Sequence, residues 1–364
     1  MVDAKSMTLM SGLSTRNLSS DKNRTELFSK VYVFPPLSPS PRITLTIMLT
    51  SVGITALLAN ASIICYLSSR KNATPILRAC SFQKNLNAYI LSLAVSDALC
   101  AVIAVPLICF QLYFDILHHH WGCRLVRYIN FFFPSVTMNN LLIISIGKYF
   151  STRKNPRILQ HSTVKKLLWF AWVSASFSAL APASSVKGLR YDFNATHYTV
   201  SCHFDNGYFP FRATIITYIT VQYFIPSIVI VLICVCLIWT VRSRMKRKID
   251  IQRDNGIRAM LRVTNRRCTI MLIVIMLAAF LPYLPYAVLA TYRGIGFKLG
   301  TNVETWVIVS HCYAVLAYSN GFVNVVIYFV QMEDFRCYLK RKCCGLISKE
   351  GPVNSVDEFI QSKE

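Results

Sequence analysis

The sequence predicts an all-α membrane protein, a seven-transmembrane helix bundle with a short amphipathic eighth helix. Three observations carry that expectation. The 364 residues are 54% hydrophobic and 15% charged, against roughly 45–50% apolar and 25% charged in soluble domains. Seven apolar runs approach or exceed the ~20 residues needed to cross a hydrocarbon core: Ile43–Leu67, Leu86–Leu112, Val126–Ser151, Leu167–Ser185, Ala213–Val241, Cys268–Tyr292 and Val303–Val330. Almost none of them shows the polar stripe that a helix flanking a soluble core repeats every 3.6 residues.

Charge placement adds the orientation. The formal net charge is +23. The connections Arg70–Lys84, Lys148–Lys166 and Arg242–Arg267 hold 4, 6 and 10 Lys/Arg, and the other three hold 7 between them. Those seven are Arg124, Arg127, Lys187, Arg190, Arg212, Arg293 and Lys298. Such alternation follows the positive-inside rule and predicts an outer N-terminus and an inner C-terminus. The excess charge also attracts anionic membrane lipid, so no nucleic-acid partner is implied.

Residues 1–42 read as an extracellular, glycosylated tail, 43–330 as the bundle, 331–344 as the eighth helix and 345–364 as a cytoplasmic tail. No early apolar segment leads to a small-residue cleavage site, so no removable signal peptide is expected. Asn17, Asn23 and Asn194 open glycosylation sequons on the outer side. Pro35, Pro36, Pro39 and Pro41 predict an extended rather than helical approach to the first span.

Within the spans, Asp97 is the residue that most needs explaining. A carboxylate at mid-membrane costs at least about 2.5–3.5 kcal/mol on insertion scales, so it should face the bundle and find partners. Asn60, Thr137, Asn320 and Asn324 offer neutral oxygen and nitrogen groups from other spans. Together they predict a buried polar cluster. His118, His119 and His120 are adjacent rather than spaced as tetrahedral zinc ligands are, and no metal site is expected there.

Of 13 cysteines, only Cys123 and Cys202 fall outside or at the outer rim of this topology. Oxidation is confined to that side, so one bridge between them is the economical pairing. Cys337, Cys343 and Cys344 follow the last span among basic residues and are palmitoylation candidates, with reduced thiols as the alternative. Prolines at 106, 134, 182, 226, 282 and 285 punctuate the spans. Kinked helices open one end of a bundle into a cavity. Asn130, Pro134, Tyr218, Gln222, Tyr283, Tyr286 and Tyr318 are the residues expected to line such an outer ligand pocket.

The ordered landmarks resemble the rhodopsin-like (class A) G-protein-coupled receptors across roughly residues 43–344. They are Asn60, then Leu93-Ala94-x-x-Asp97, Trp121-Gly122-Cys123, Trp172 with Pro182, and Pro226. Phe280-Leu281-Pro282-Tyr283 and Asn324-Val-Val-Ile-Tyr328 follow, with Glu333-Asp334-Phe335-Arg336 resembling the family's eighth helix. The fifth span, Ile238-Trp239 and Asn155-Pro156 are most similar to melatonin-receptor-like and invertebrate orphan receptors. The resemblance implies an extracellular ligand, a heterotrimeric G protein and an arrestin as partners, at the plasma membrane. It also implies that the Asp97 cluster could hold an allosteric sodium ion; no other cofactor is expected, and no enzyme activity.

The departures are specific. Gly147-Lys148-Tyr149 stands where the family has an acid followed by Arg-Tyr, and lysine does not reproduce arginine's planar fork. Phe280 replaces the toggle tryptophan, Val325 the proline before Tyr328, and Cys234 the fifth-span tyrosine. Gly147, Lys148, Tyr149, Phe280 and Tyr328 are the residues expected to form the G-protein switch. An amine-binding acid would fall at Asn130, and a retinal-binding lysine near Tyr318 in a span without lysine. A peptide or small non-aminergic ligand is therefore expected, and not an opsin. A non-signalling or atypical receptor of the same fold remains the alternative; a transporter is a third reading without inverted repeats to support it.

Overall fold

A computed structural model describes residues 31–34, 37–69, 81–116, 119–152, 159–192, 196–204, 209–246, 256–295 and 303–343. Seven helices in it are long and apolar enough to cross a membrane: Pro39–Ser69, Asn85–Gln111, His120–Thr152, His161–Ser184, Arg212–Ser243, Thr269–Tyr292 and Glu304–Gln331. Each coincides, in order, with one apolar run of the sequence. The chain is a multi-pass membrane protein.

The helices are α1 (Pro39–Ser69), α2 (Ser81–Leu99), α3 (Val105–Gln111), α4 (His120–Thr152), α5 (His161–Ser184), α6 (Phe209–Ile219), α7 (Ile225–Lys246), α8 (Gly256–Gly294), α9 (Val303–Gln331) and α10 (Glu333–Cys343). The second span is α2 and α3 joined by a π-helical turn at Cys100–Ala104; the fifth is α6 and α7 joined at Thr220–Phe224. In these turns the Val105 and Ile225 N–H groups donate five residues back, to the Cys100 and Thr220 carbonyls. Pro106 and Pro226 come immediately after. A proline ring presses on the carbonyl four residues earlier, and the widened turn relieves that contact. Pro134, Pro182, Pro282 and Pro285 instead sit inside helices that continue through them.

Two expectations change here. Pro39 and Pro41 do not keep the chain extended, because α1 begins at Pro39. Proline is tolerated in a first helical turn, where its missing N–H has no intrahelical partner to lose. Arg124 and Arg127 do not lie in a connection but within α4, which starts at His120. Helical hydrogen bonding carries past the apolar run that marks the membrane core.

α4 packs against the second, fourth, fifth and sixth spans, and its apolar stretch is the most buried of the seven. Leu58, Trp169, Phe170, Phe177 and Trp239 are exposed on the outside of the bundle, a surface suited to lipid rather than water.

One end of the bundle is roofed by a three-stranded sheet of order β1-β3-β2. β2 (Val186–Asp192) and β3 (His197–Phe204) form an antiparallel hairpin, and β1 (Val31–Tyr32) runs parallel to β3 with Val31 opposite His197. Cys123 and Cys202 form the expected disulfide, with Cα atoms 5.5 Å apart. The bridge fixes β3 to the start of α4. At the other end α10 docks on α1, where the buried Phe335 ring lies 5.3 Å from that of Tyr66. Glu333 and Asp334 in its first turn and Lys340, Arg341 and Lys342 in its last complement the helix dipole.

Candidate functional site

The five polar residues expected to cluster are all buried: Asn60, Asp97, Thr137, Asn320 and Asn324. Asn60 Nδ2 donates to the carbonyls of Ala56 and Gly321, each at 2.8 Å, tying α1 to α9. Asn324 Nδ2 donates to Asp97 Oδ2 at 3.2 Å. Among the described residues, Asn60 Oδ1, Asn320 Oδ1 and Asn324 Oδ1 have no hydrogen-bond partner. Beside Asp97 lies a small cavity of about 10 Å³, bordered also by Cys100, Tyr283, Tyr318 and Gly321. That volume is near the lower limit for one water-sized occupant. Oxygen donors around a carboxylate are the donor set that a hard cation takes, and Asp97 is the member of the polar cluster that borders this cavity.

A larger cavity of about 220 Å³ opens under the sheet. Asn130, Pro134, Tyr218, Gln222, Tyr283, Tyr286 and Tyr318 all line it, so the structure brings the seven expected pocket residues to one space. Two hydroxyls organise its walls. Tyr318 Oη donates to Asn130 Oδ1 at 3.0 Å, joining the seventh span to the third. Tyr218 Oη donates to the Phe131 carbonyl at 2.8 Å and lies 2.7 Å from Ser135 Oγ, joining the fifth span to the third. Tyr283 and Tyr318 line both the large cavity and the small one beside Asp97. With Ala317 they are the partition between the two.

Several lining residues were not anticipated. Phe34 and Leu37 come from the segment before α1, Val200 and Cys202 from β3, and Arg127, Gln111, Trp306 and His311 from the upper turns of the spans. Arg127 was legible in principle. It shares a helical face with Asn130, Phe131, Pro134 and Met138 at spacings of three, four, seven and eleven. β1 and the hairpin carry no comparable signal, since their pairing joins segments far apart in sequence.

At the opposite end, Lys148 is 1% exposed and Tyr328 1% exposed. Lys148 is thus packed within the bundle, not displayed on its surface. Gly147 lies against Tyr89 and Leu159, and Tyr149 stands edge-on to Phe150 at 5.7 Å. Cys234 Sγ sits 3.5 Å from Met276 Sδ, linking the fifth and sixth spans with sulfur where the family has a phenol. Phe280 belongs to α8, but its side chain lies outside the described residues. Asn17, Asn23, Asn194 and Cys344 also lie outside them, while Cys337 is exposed on α10 and Cys343 ends that helix. Among the described residues, no group of three His, Cys, Asp or Glu side chains could hold a metal ion.

Comparison with known proteins agrees with this architecture. The family model described as 7 transmembrane receptor (rhodopsin family) matches residues 74–328. A curated relative from Mizuhopecten yessoensis, "Rhodopsin, GQ-coupled", is 25% identical over 341 residues, covering 85% of this chain and 62% of that protein. The chain thus spans less than two thirds of that relative's length. The crystal structure of squid rhodopsin superposes with a TM-score of 0.67 at 19% identity, over 92% of this chain and 96% of that one. At that identity the likeness speaks for the fold.

Proposed function

The chain belongs to the rhodopsin family of seven-transmembrane receptors, a class of receptors and not of enzymes, and on that premise we propose that it binds an extracellular ligand in the large cavity and activates a heterotrimeric G protein. The observation that carries the reading is the shared wall. Tyr283 and Tyr318 face the large cavity on one side and the Asp97 cavity on the other. A ligand that moves either ring changes the packing around the buried carboxylate, and only such differential contact can shift a two-state bundle. The sheet end, with its disulfide, is then the outer end, and α10 lies on the cytoplasmic side of a plasma membrane.

Sodium would be held by Asp97 with the amide oxygens of Asn320 and Asn324, supplying the positive charge that the buried carboxylate lacks. Glycans on Asn17, Asn23 and Asn194, acyl chains on Cys337, Cys343 and Cys344, and an arrestin at the cytoplasmic face belong to the same reading. The test is expression of the full chain with sensors for each G-protein class, beginning with Gq because the scallop relative's name carries that coupling. A surface-expressed receptor that drives none of them, basally or in a ligand screen, would end the proposal.

One observation favours a second reading, a receptor of this fold that binds without signalling. Lys148 is buried and the preceding acid is replaced by Gly147, so the usual ionic restraint of the inner face has no counterpart at position 147. Ligand binding without nucleotide exchange on any G protein would select it.

A further inference from the structure

The geometry points to an amphipathic anion as the ligand class of the large cavity: a small molecule with a carboxylate or comparable acidic head on an apolar, partly aromatic body. This rests on the receptor reading above and adds the chemistry of what the site takes.

Charge comes first. Among the described residues that line the cavity, Arg127 is the one Lys, Arg, Asp or Glu side chain. Its guanidinium carries five N–H donors. Among the described residues one partner is met, the Cys202 carbonyl at 3.1 Å from Nη2. No described residue lining the cavity brings a carboxylate to the rest of the fork. A cation held at the mouth of a low-dielectric space without a counter-charge is costly, and an anionic ligand head offsets that cost. Arginine's fork also matches a carboxylate in two-point geometry.

His311 adds no second charge. Its Nδ1 lies 2.7 Å from the Val307 carbonyl, which can only accept, so Nδ1 carries the proton. Its Nε2 lies 3.1 Å from Gln111 Nε2, which donates. The imidazole is therefore neutral in this arrangement, and Gln111 and His311 are polar neighbours for a head group bound at Arg127. Below them the walls are apolar and aromatic, including Phe131, Met138, Ile215, Ile219 and Ala287. A volume of about 220 Å³ is smaller than the ~300–1,000 Å³ of drug-sized sites, which favours a compact molecule over a peptide chain. Among the described lining residues an ammonium ligand meets no carboxylate, and it would face Arg127.

The experiment uses the full chain, purified in bilayer discs of zwitterionic lipid, and three probes sharing one skeleton: phenylbutyrate, phenylbutanol and phenylbutylamine. Binding is read as a rise in thermal unfolding temperature across a titration. Phenylbutyrate is expected to bind most tightly and phenylbutylamine least, with the carboxylate's advantage shrinking as salt rises. In Arg127→Gln, which can still donate to the Cys202 carbonyl, phenylbutyrate should weaken by roughly tenfold or more, as for a lost hydrogen bond to a charged group. Arg127→Lys should keep most of the preference. If Arg127→Gln does not fold, the ranking of the three probes on the natural chain decides. The inference is overturned if phenylbutyrate does not bind, if the alcohol or amine binds as well, or if its advantage survives in Arg127→Gln. No G protein enters the assay, so a chain that ranks the probes this way yet activates none would refute the signalling reading and leave this one standing.

Discussion

A Cβ atom placed on Gly147 would lie 2.9 Å from the hydroxyl oxygen of Tyr89. Tyr89 comes from the second span and is 3% exposed, so its ring has little room to withdraw. The space where an acidic side chain would begin in the receptors this family comprises is occupied here by a phenol. Restoring the acid alone would thus not restore its geometry.

This contact makes a signed prediction. In an unobstructed helix Gly→Ala stabilises by about 1 kcal/mol, whereas overpacking costs about 1–3 kcal/mol. Gly147→Ala should therefore gain nothing or lose stability in the natural chain. With Tyr89→Phe the hydroxyl is gone, the nearest remaining ring atom is 3.8 Å away, and Gly147→Ala should become favourable. Thermal unfolding of the four variants measures the coupling; additivity would show that the hydroxyl is not the obstacle.

The Asn324–Asp97 hydrogen bond at 3.2 Å bears on the sodium reading. Replacing potassium or an organic cation by sodium should raise the unfolding temperature of the natural chain. Asp97→Asn keeps the shape but removes the charge that draws a cation, so the sodium response should vanish and the dose response of signalling should change. A sodium response that persists in Asp97→Asn removes the ion from this cluster.

The disulfide closes a loop across 79 residues of sequence. Bridges of this kind contribute about 2–4 kcal/mol, chiefly by constraining the unfolded chain. Cys202→Ser should lower thermal stability by that order, and adding Cys123→Ser should cost little more, because the bridge is already absent. Reducing agent should destabilise the natural chain and leave the double variant unmoved. A natural chain indifferent to reductant, with the bridge verified as reduced, contradicts this.

The seven spans were legible because hydrocarbon thickness fixes a minimum apolar length that no loop imitates. The Asp97 cluster was legible for the converse reason: a carboxylate in such a run must find partners. Arg127 was missed because a cation near the end of an apolar run counts towards the loops when orientation is read, although hydrogen bonding can carry a helix beyond the hydrocarbon. The hairpin Val186–Asp192 with His197–Phe204 falls between the fourth and fifth apolar runs, in a connection that a rule of apolar length leaves unresolved. Its parallel partner Val31–Tyr32 depends on tertiary placement that local pattern does not encode.

β1 is also held by a side chain. The Tyr32 hydroxyl donates to Asp115 Oδ2, and burial, reinforced by that hydrogen bond and the Asp115 charge, raises the phenol's pKa. A raised folded-state pKa contributes stability that is fully present below the ordinary tyrosine value of about 10 and declines as pH rises beyond it. Unfolding temperatures followed from neutral to strongly alkaline pH should fall more steeply for the natural chain than for Tyr32→Phe. Parallel curves would show that Tyr32 does not anchor the strand.

The hydrogen bond from Tyr318 to Asn130, 3.0 Å long, ties the partition between the two cavities to the third span. Both residues are partly buried and come from spans that meet across the ligand space, so the bond can couple them only if it forms in the resting bundle. A neutral hydrogen bond contributes about 0.5–1.5 kcal/mol net, and that is the coupling expected between Tyr318→Phe and Asn130→Ala in a double-mutant cycle on thermal stability. The same single variants should shift basal nucleotide exchange in one direction, since each loosens the wall that a ligand must move to reach Asp97. If the stabilities add while exchange stays at the natural level, the tyrosine is a passive wall. The route from the large cavity to the buried carboxylate would then have to run through Tyr283 instead.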